Sequence, residues 1–363
     1  MNKPDSYNRM RLKPEEVDLI KKHRGEYVEN INGNSLLDLH LKERGIDKKD
    51  VVSVKHWQNF KGEPRFSVVT KQNRDDLALF KKVQDYVKAH APSYKYIQRK
   101  TKDGHLLVIN PADVHIGKYA NALETGDEYN VDIAVKRVLE GVQGLINKSK
   151  GFHIDKVLLC LGNDILHIDN VYNTTTKGTH QDTDGGKWWE FYDVALDLYV
   201  KVIEMLRHIA PVDCVHSMSN HDYQSGHYLA KTLKAWFRKT KDVRVDAGAS
   251  HRKYYKYGNS LIGLEHGDGA KVDNLPLLMA NERPTDWSST LYRYWYLHHL
   301  HHKIKYKYRD AKDYIGVTIE YLRSPSGSDS WHSRKGYTGS KKAVEGFIHS
   351  KKDGQIARLT HYF

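Results

Sequence analysis

The chain has little of what secreted and membrane proteins need. Only two cysteines, Cys160 and Cys214, occur among its 363 residues, so a disulfide-stabilised fold is excluded and we expect buried, reduced thiols. No apolar run approaches the roughly 18 residues that a membrane-spanning helix needs. The segment Met1–Tyr7 lacks the apolar stretch of a signal peptide, and we therefore expect a cytoplasmic protein without membrane association.

Positive charge and histidine are abundant instead. The chain carries 58 Lys and Arg against 45 Asp and Glu, a net charge of +13, and it has 22 histidines. A basic surplus favours an anionic partner, and histidine serves in metal ligation and proton transfer. The composition therefore suggests metal chemistry on a phosphate-bearing substrate, with plain solubility as the alternative reason for the charge.

The uneven distribution of charge predicts two domains. Residues 1–100 hold 22 Lys and Arg against 14 Asp and Glu, which is more than half of the net charge. We predict a basic accessory domain over residues 1–100 and a main domain over residues 105–363, with a C-terminal strand segment at about 315–363.

Local patterns in the accessory domain resemble a winged helix-turn-helix that would bind DNA. Helices are predicted from Pro14, from Leu36 and from Lys48 to Val54, and a hairpin is predicted around Lys61–Pro64. A further helix is predicted over Asp75–His90. The alternative is a small α+β appendage without a role in DNA binding.

Short apolar runs alternate with helical stretches in the main domain. The predicted strands are Leu106–Asn110, Lys156–Leu161, Val212–Ser217, Ser260–Leu264 and Tyr292–Leu297, with two more at Val317–Leu322 and Gln355–Leu359. The predicted helices are Val131–Lys148, Trp188–Ile209 and His227–Lys239. This alternation indicates an α/β fold with much parallel sheet.

Residues of metal-ligating type follow each of the first five strands. They are Asp113 and His115, Asp164 and His167, Asn220 with His221 and Asp222, His266, and His299 with His301. The carboxyl ends of strands in open α/β sheets form the ligand site. Carboxylate, amide and imidazole together suit Mn²⁺, Fe²⁺ or Zn²⁺ better than Ca²⁺. Because one ion cannot use so many ligands, we expect two metal ions.

These blocks resemble the calcineurin-like metallophosphoesterases, whose pattern is D-x-H, G-D, N-H-D/E, H and G-H-x-H in that order. The resemblance covers residues 106 to about 305. It implies an αββα fold, a β-sandwich flanked by helices, and two divalent ions, with Mn²⁺ favoured and Fe²⁺, Zn²⁺ or Ni²⁺ as alternatives. Two departures are that Asn163 separates Gly162 from Asp164, and that His298 replaces the glycine of G-H-x-H.

The resemblance also implies a role for each residue. Asp113, His115 and His301 would hold the first ion, Asn220, His266 and His299 the second, and Asp164 would bridge both. His221 would protonate the leaving oxygen, and Asp222 would orient its imidazole.

Two narrower likenesses point to nucleic acid. His167 follows Asp164 by three residues, as in the G-D-x-x-H block of the SbcD-type DNA repair nucleases. This likeness implies that His167 binds the phosphate or shifts the water, which favours a phosphodiester substrate; the alternative is a loop residue without such a role. The serine-rich stretch Arg323–His332 and the whole layout resemble metallophosphoesterases of bacteriophages and prophages, which would place the protein in a bacterial host cytoplasm. Trp188 and Trp189 could stack on unpaired bases or pack on the core.

We therefore expect a two-metal phosphodiesterase, a nuclease acting on DNA through in-line attack of a metal-bridged hydroxide. A phosphomonoesterase for proteins or nucleotides is one alternative, and a DNA-binding scaffold with an inactive metallophosphoesterase fold is another. The sequence leaves open the native metal, the choice between endo and exo cleavage, and the oligomeric state.

Overall fold

The computed structural model describes residues 35–44, 46–58, 64–70, 81, 85, 91–97, 104–299, 311–334 and 341–363. The chain divides into two compact units, Met1–Lys82 and Val83–Phe363. Within the described ranges, no helix is long and apolar enough to cross a membrane.

The first unit contains one helix and one hairpin in its described part. Helix α1 (Ser35–Glu43) is followed by a 3₁₀ turn at Lys48–Asp50, and β1 (Val51–Gln58) pairs antiparallel with β2 (Pro64–Thr70). The hairpin prediction is confirmed. The helix predicted from Lys48 to Val54 is wrong beyond the 3₁₀ turn, because the valines that follow favour a strand.

The other predicted helices of this unit lie outside the described residues. This applies to the helix from Pro14 and to nearly all of Asp75–His90. The winged helix-turn-helix and its DNA binding therefore stay predictions.

A six-stranded sheet forms the first layer of the second unit. Its strands are β3 (His105–Asn110), β4 (Ile154–Gly162), β5 (Val212–Ser217), β6 (Val243–Asp246), β12 (Ala343–Ser350) and β13 (Gly354–Tyr362), in the order β13-β12-β3-β4-β5-β6. Strands β3 to β6 are parallel, whereas β12 runs antiparallel to both of its neighbours. The parallel part lines up the carboxyl ends of β3, β4 and β5 at one edge.

A five-stranded sheet forms the second layer. Its strands are β7 (Lys253–Tyr257), β8 (Ser260–Leu264), β9 (Tyr292–Leu297), β10 (Ala311–Tyr314) and β11 (Val317–Tyr321), in the order β10-β11-β9-β8-β7. The inner strands β8, β9 and β11 are parallel, and the outer strands are antiparallel to their neighbours. Both sheets are mixed, so the predicted parallel sheet holds for β3 to β6 in the first sheet and for β8, β9 and β11 in the second.

The helices of the described second unit are α2 (Ala122–Thr125), α3 (Val131–Lys148), α4 (Trp188–Arg207), α5 (Tyr223–Trp236), α6 (Leu275–Glu282), α7 (Pro284–Ser288) and α8 (Ser330–Arg334). Of these, α3, α4 and α5 cover the outer face of the first sheet, and α6 packs against the second. Alternation along β3 builds the layers, because successive side chains of a strand point to opposite faces. Leu107 and Ile109 pack with α3, α4 and α5, whereas Leu106 and Val108 pack between the sheets with Ile262. The predicted two-sheet α/β architecture with flanking helices is confirmed.

Both cysteines are free and buried, as predicted. Cys214 packs in the cluster beneath the helices, and Cys160 packs in the cluster between the sheets. Burial raises the pKa of each thiol, so neither supplies a thiolate nucleophile.

Candidate metal centre

Both sheets deliver polar side chains to one place. The ligand atoms of Asp113, His115 and Asp164, which follow β3 and β4, lie within 4.8 Å of one another. The same holds for Asp164, His266 and His299, which follow β4, β8 and β9. Asp164 therefore belongs to both groups, the position that the resemblance implies for a bridging ligand. His301 lies outside the described residues.

Three polar atoms crowd around one nitrogen of His266. Its Nε2 lies 2.8 Å from Asn220 Oδ1, 3.1 Å from Asp164 Oδ2 and 3.2 Å from His299 Nδ1. An imidazole nitrogen carries at most one hydrogen, so it cannot satisfy three such neighbours. These four atoms converge as the ligands of a cation do.

An unpartnered buried atom supports the same interpretation. Among the described residues, His266 Nδ1 is buried and makes no hydrogen bond. Buried polar atoms without a partner are rare and call for an explanation such as an ion. Imidazole nitrogens with carboxylate and amide oxygens fit a divalent ion of the Mn²⁺, Fe²⁺ or Zn²⁺ type.

The electrostatics show that the site attracts positive charge. Burial alone would lower the pKa of His266, but the Asp164 carboxylate outweighs it and raises that pKa to about 9. Burial raises the pKa of Asp113 to about 8, an effect that Asp164 reinforces. The proton on His266 thus supplies the positive charge beside Asp164 that a metal ion would supply in its place.

Left-handed backbone presents these ligands. Asp113, His115, Asp164 and His299 have φ values of 52°, 51°, 59° and 69°, a region that non-glycine residues seldom occupy. Asn163 shares it with a φ of 58°, so the extra residue of this block is absorbed in a left-handed turn. Such conformations persist only where surrounding contacts hold them, and they concentrate at functional sites.

The two ligand-bearing turns hold each other. The amide of Asp113 donates to the carbonyl of Asn163 at 2.7 Å, and the amide of His115 donates to the carbonyl of Asp164 at 2.9 Å. Beyond the ends of β3 and β4, these two bonds take the place of the regular strand-to-strand hydrogen bonds. They fix the position of Asp113 relative to Asp164.

His221 stands beside these ligands with one ring nitrogen committed. Its Nδ1 lies 2.9 Å from the carbonyl oxygen of His167, which can only accept, so Nδ1 carries a hydrogen. Its backbone amide donates to Asp164 Oδ1 at 2.9 Å, and its ring lies 4.6 Å from that of His115. Nε2 is therefore the atom that can take up or release a proton.

Asp222 does not have the role that the resemblance implies. Its Oδ2 accepts from the amide of Leu166 at 3.0 Å, and its Oδ1 accepts from the hydroxyl of Ser219 at 2.6 Å. Ser219, which belongs to no motif recognised in the sequence, also accepts from the amide of Asp164 at 2.8 Å. Asp222 thus organises the turn that carries Asp164, and the carbonyl of His167 orients His221 instead.

The side chain of His167 is buried rather than open to substrate. Only 2% of it is exposed, and its Nδ1 lies 3.3 Å from His115 Nδ1. Burial lowers its pKa well below the ordinary histidine value. The ring of His167 stacks on that of His221 at 5.3 Å, so its position suits support of His221 better than the predicted contact with phosphate.

His298, which replaces the glycine of the G-H-x-H block, is likewise buried. Its Nε2 lies 2.9 Å from Asn110 Oδ1, and burial lowers its pKa to about 3. Since Asn110 ends β3 and His298 follows β9, this bond ties the two sheets together directly behind the ligands.

A polar loop after β4 reaches the ligand Asn220. The amide of Thr176 donates to the carbonyl of Asn220 at 3.3 Å, and the Thr176 hydroxyl accepts from the amide of Tyr223 at 3.2 Å. Asp169, in the same loop, accepts from the amides of Gln224 and Ser225 at the start of α5. These contacts tie the loop to the Asn220 turn and to the start of α5.

Several aromatic side chains remain exposed. Trp188 and Trp189 are 40% and 49% exposed, whereas Phe191 in the same helix is buried. Tyr172 in the polar loop and Tyr223 at the start of α5 are exposed as well. The two tryptophans therefore do not pack on the core.

Comparisons with known proteins add little to this geometry. No protein-family model and no curated protein matches the chain. A single mutant of Vps29 from Entamoeba histolytica is 15% identical, with a TM-score of 0.30, over 71% of this chain and 99% of that one. A double mutant of Vps29 from the same organism is 14% identical, with a TM-score of 0.27 and the same coverage. Both scores are low, so neither structure establishes the fold or the function of this chain.

Proposed function

We propose that this protein is a two-metal phosphodiesterase that cleaves DNA. The observation that carries the proposal is the convergence of Asn220 Oδ1, Asp164 Oδ2 and His299 Nδ1 on His266 Nε2, within 3.2 Å. A second group, Asp113 and His115, shares Asp164 with the first. Two adjacent cation sites with one carboxylate between them are the arrangement used for phosphoryl transfer.

The residues divide into ligands and a proton donor. Asp113, His115 and Asp164 would hold one ion, and Asp164, Asn220, His266 and His299 the other; His301 is a further predicted ligand of the first. Divalent ions there would activate water and neutralise charge on the phosphoryl oxygens. His221 would hold its proton at Nε2 and donate it to the leaving oxygen, while the carbonyl of His167 keeps the imidazole in register.

Charge and exposed aromatics support DNA as the substrate. The net charge of +13 favours a polyanion. Tyr172 and Tyr223 are exposed on segments that contact the Asn220 block, and aromatic faces there could stack on unpaired bases. A phosphomonoesterase would have little use for the basic N-terminal region.

Hydrolysis assays with Mn²⁺ and substrates of different leaving groups test this proposal. DNA releases an alkoxide that needs a proton, whereas bis-p-nitrophenyl phosphate releases a stable phenolate. We expect cleavage of both diesters and little cleavage of p-nitrophenyl phosphate. His221→Ala should slow DNA cleavage by about 10²- to 10⁴-fold but slow the p-nitrophenyl diester much less. His208→Ala, at an exposed histidine, is the matched control and should change neither rate.

The other outcomes separate the alternatives. Turnover of the monoester alone would identify a phosphatase and reject the nuclease. DNA binding without cleavage of any ester would favour the scaffold. Equal losses on DNA and on the p-nitrophenyl diester would show that His221 is not the proton donor.

A further inference from the structure

Side-chain hydroxyl groups hold the carbonyls of the turn that carries Asp113 and His115. Three carbonyl oxygens of this turn accept from a buried hydroxyl each: Pro111 from Tyr199 at 3.1 Å, Asp113 from Ser324 at 2.7 Å, and Val114 from Tyr129 at 2.5 Å. A left-handed turn cannot satisfy its carbonyls through a regular ladder, and buried carbonyls need partners. The hydroxyls therefore maintain a backbone conformation that the turn does not favour by itself.

Ser324 comes from the distant serine-rich segment that follows β11. Its hydroxyl accepts from the amide of Ser326 at 2.9 Å, which leaves its hydrogen directed at the carbonyl of Asp113. Its own carbonyl accepts from the amide of Ala343 at 3.1 Å, at the start of β12. Ser324 is 1% exposed, so water cannot replace its hydroxyl without rearrangement.

Lys118 makes the second connection to the same segment. Its amide donates to the carbonyl of His115 at 3.0 Å. Its ammonium lies 3.0 Å from Asp329 Oδ2 and 3.2 Å from Ser326 Oγ. Lys118 is 1% exposed, which is rare for a lysine and occurs where the charge is paired. Asp113 and His115 are thus each tied to one short segment, Ser324–Asp329, which we name the clamp segment.

The clamp segment is itself anchored on its outer side. Arg137 donates to the carbonyl of Pro325 at 2.7 Å. A Cβ on Gly327 would lie 2.6 Å from the Cβ of Tyr129, so only glycine allows this approach. The residue that Gly327 meets is the tyrosine whose hydroxyl holds Val114.

We propose that the clamp segment positions Asp113 and His115 for metal binding, with Ser324 and the Lys118–Asp329 pair as its positioning residues. The inference rests on the proposed metal centre. The clamp residues bond to the backbone of Asp113 and His115, so the side-chain atoms of these two residues stay available to a metal ion. Loss of the Ser324 hydroxyl lets the turn relax toward ordinary φ values and moves Asp113 away from Asp164.

Calorimetric titration of the metal-free full chain with Mn²⁺ tests this role. Ser324→Ala should weaken the affinity by about 10-fold or more, the range found when partners of metal ligands are removed. Ser328→Ala is the matched control, because it removes a hydroxyl from the same segment that faces Lys342; it should change the affinity less than about 2-fold. Asp329→Asn, which loosens Lys118 and retains shape, should weaken binding by a smaller factor than Ser324→Ala.

Thermal unfolding in EDTA separates positioning from general stability. Ser324→Ala and Ser328→Ala should lower the melting temperature by similar amounts while only the first weakens Mn²⁺ binding. Unchanged affinity in Ser324→Ala, or equal weakening in Ser328→Ala, would overturn the clamp while leaving the metal centre intact. If Ser324→Ala fails to fold, Asp329→Asn decides, and unchanged affinity there rejects the proposal. No Mn²⁺ binding by the wild type would overturn the metal centre and the clamp with it.

Discussion

Two buried polar clusters of the second unit are built in opposite ways. In the ion-pair cluster, Arg358 on β13 donates to Glu320 on β11 and, at 3.1 Å, to Glu345 on β12. Donors meet acceptors, and the pairing links the two sheets. In the metal cluster at the strand ends, Asn220 Oδ1 and Asp164 Oδ2 both face one nitrogen of His266.

The difference shows what each cluster does for the protein. A buried network whose members satisfy one another makes the fold specific. In the metal cluster a single proton on His266 faces more than one acceptor, so the cluster is incompletely paired until a metal ion replaces that proton, and such a cost is the kind that proteins accept at functional sites. Mutations should therefore affect stability in one cluster and metal binding in the other.

The largest expected effect is the loss of metal on changing Asp113. Asp113→Asn keeps the shape and the acceptor for the amide of His299 but removes a charged ligand. Mn²⁺ affinity should fall by more than about 100-fold, since even changes behind the ligands cost 10- to 100-fold. The unfolding free energy in EDTA should change by less than about 1 kcal/mol, because burial already raises the pKa of Asp113 to about 8.

Calorimetry and urea denaturation measure these two quantities. Asp193→Asn, at an exposed position of α4, is the control and should change neither. A destabilisation of the metal-free protein by several kcal/mol would show that Asp113 belongs to a closed network after all.

The next effect concerns stability in the ion-pair cluster. Arg358→Met leaves Glu320 and Glu345, whose side chains are only 5% and 1% exposed, without their cation. Breaking such a pair should lower the unfolding free energy by about 3 kcal/mol, the lower end for buried pairs because Arg358 is partly exposed. Mn²⁺ affinity should not change.

Urea denaturation with a matched variant checks this prediction. Arg244→Met breaks a pair with Asp213 in which the arginine is 70% exposed, and it should cost less than about 1 kcal/mol. Equal effects of the two variants would mean that the buried carboxylates find other partners.

The strands were predictable where the residues of the strand itself show the pattern of a buried strand. Strands β5, β8 and β9 begin and end as predicted, because short segments rich in apolar and aromatic residues end at polar turns. Strand β12 was missed because Glu345 and His349 interrupt its apolar pattern. Their partners, Arg358 and Tyr296, come from other strands, so no local reading could show that these polar residues are buried.

The site was likewise predictable from local patterns but not in its contacts between distant segments. Residue types at strand ends predicted that Asp113, Asp164 and His266 meet. The sequence could not show that a backbone carbonyl, that of His167, orients His221, nor that Ser324 holds Asp113 from 211 residues away. Such contacts depend on left-handed turns and on pairing between the sheets, neither of which leaves a periodic trace.

The smallest expected effect is the pH dependence of stability that the buried, neutral His349 causes. The Tyr296 hydroxyl donates to Gln355 Oε1 at 2.7 Å, so His349 Nε2, 2.8 Å from that hydroxyl, must donate to it. Burial lowers the pKa of His349 to about 3, against an ordinary value of about 6.5. As the pH falls, the unfolded chain therefore takes up a proton at His349 before the folded chain does. The unfolding free energy is highest above pH 6.5 and decreases as the pH drops toward 3. Between pH 6.5 and 5, His349 should lower the unfolding free energy by about 2 kcal/mol.

Urea denaturation in EDTA across this range should give a shallower pH dependence for His349→Gln than for the wild type, while His208→Gln, at an exposed histidine, should follow the wild type. Parallel curves for wild type and His349→Gln would mean that the folded protein accepts a proton at this site, and that the interior between the sheets tolerates charge as the metal cluster does.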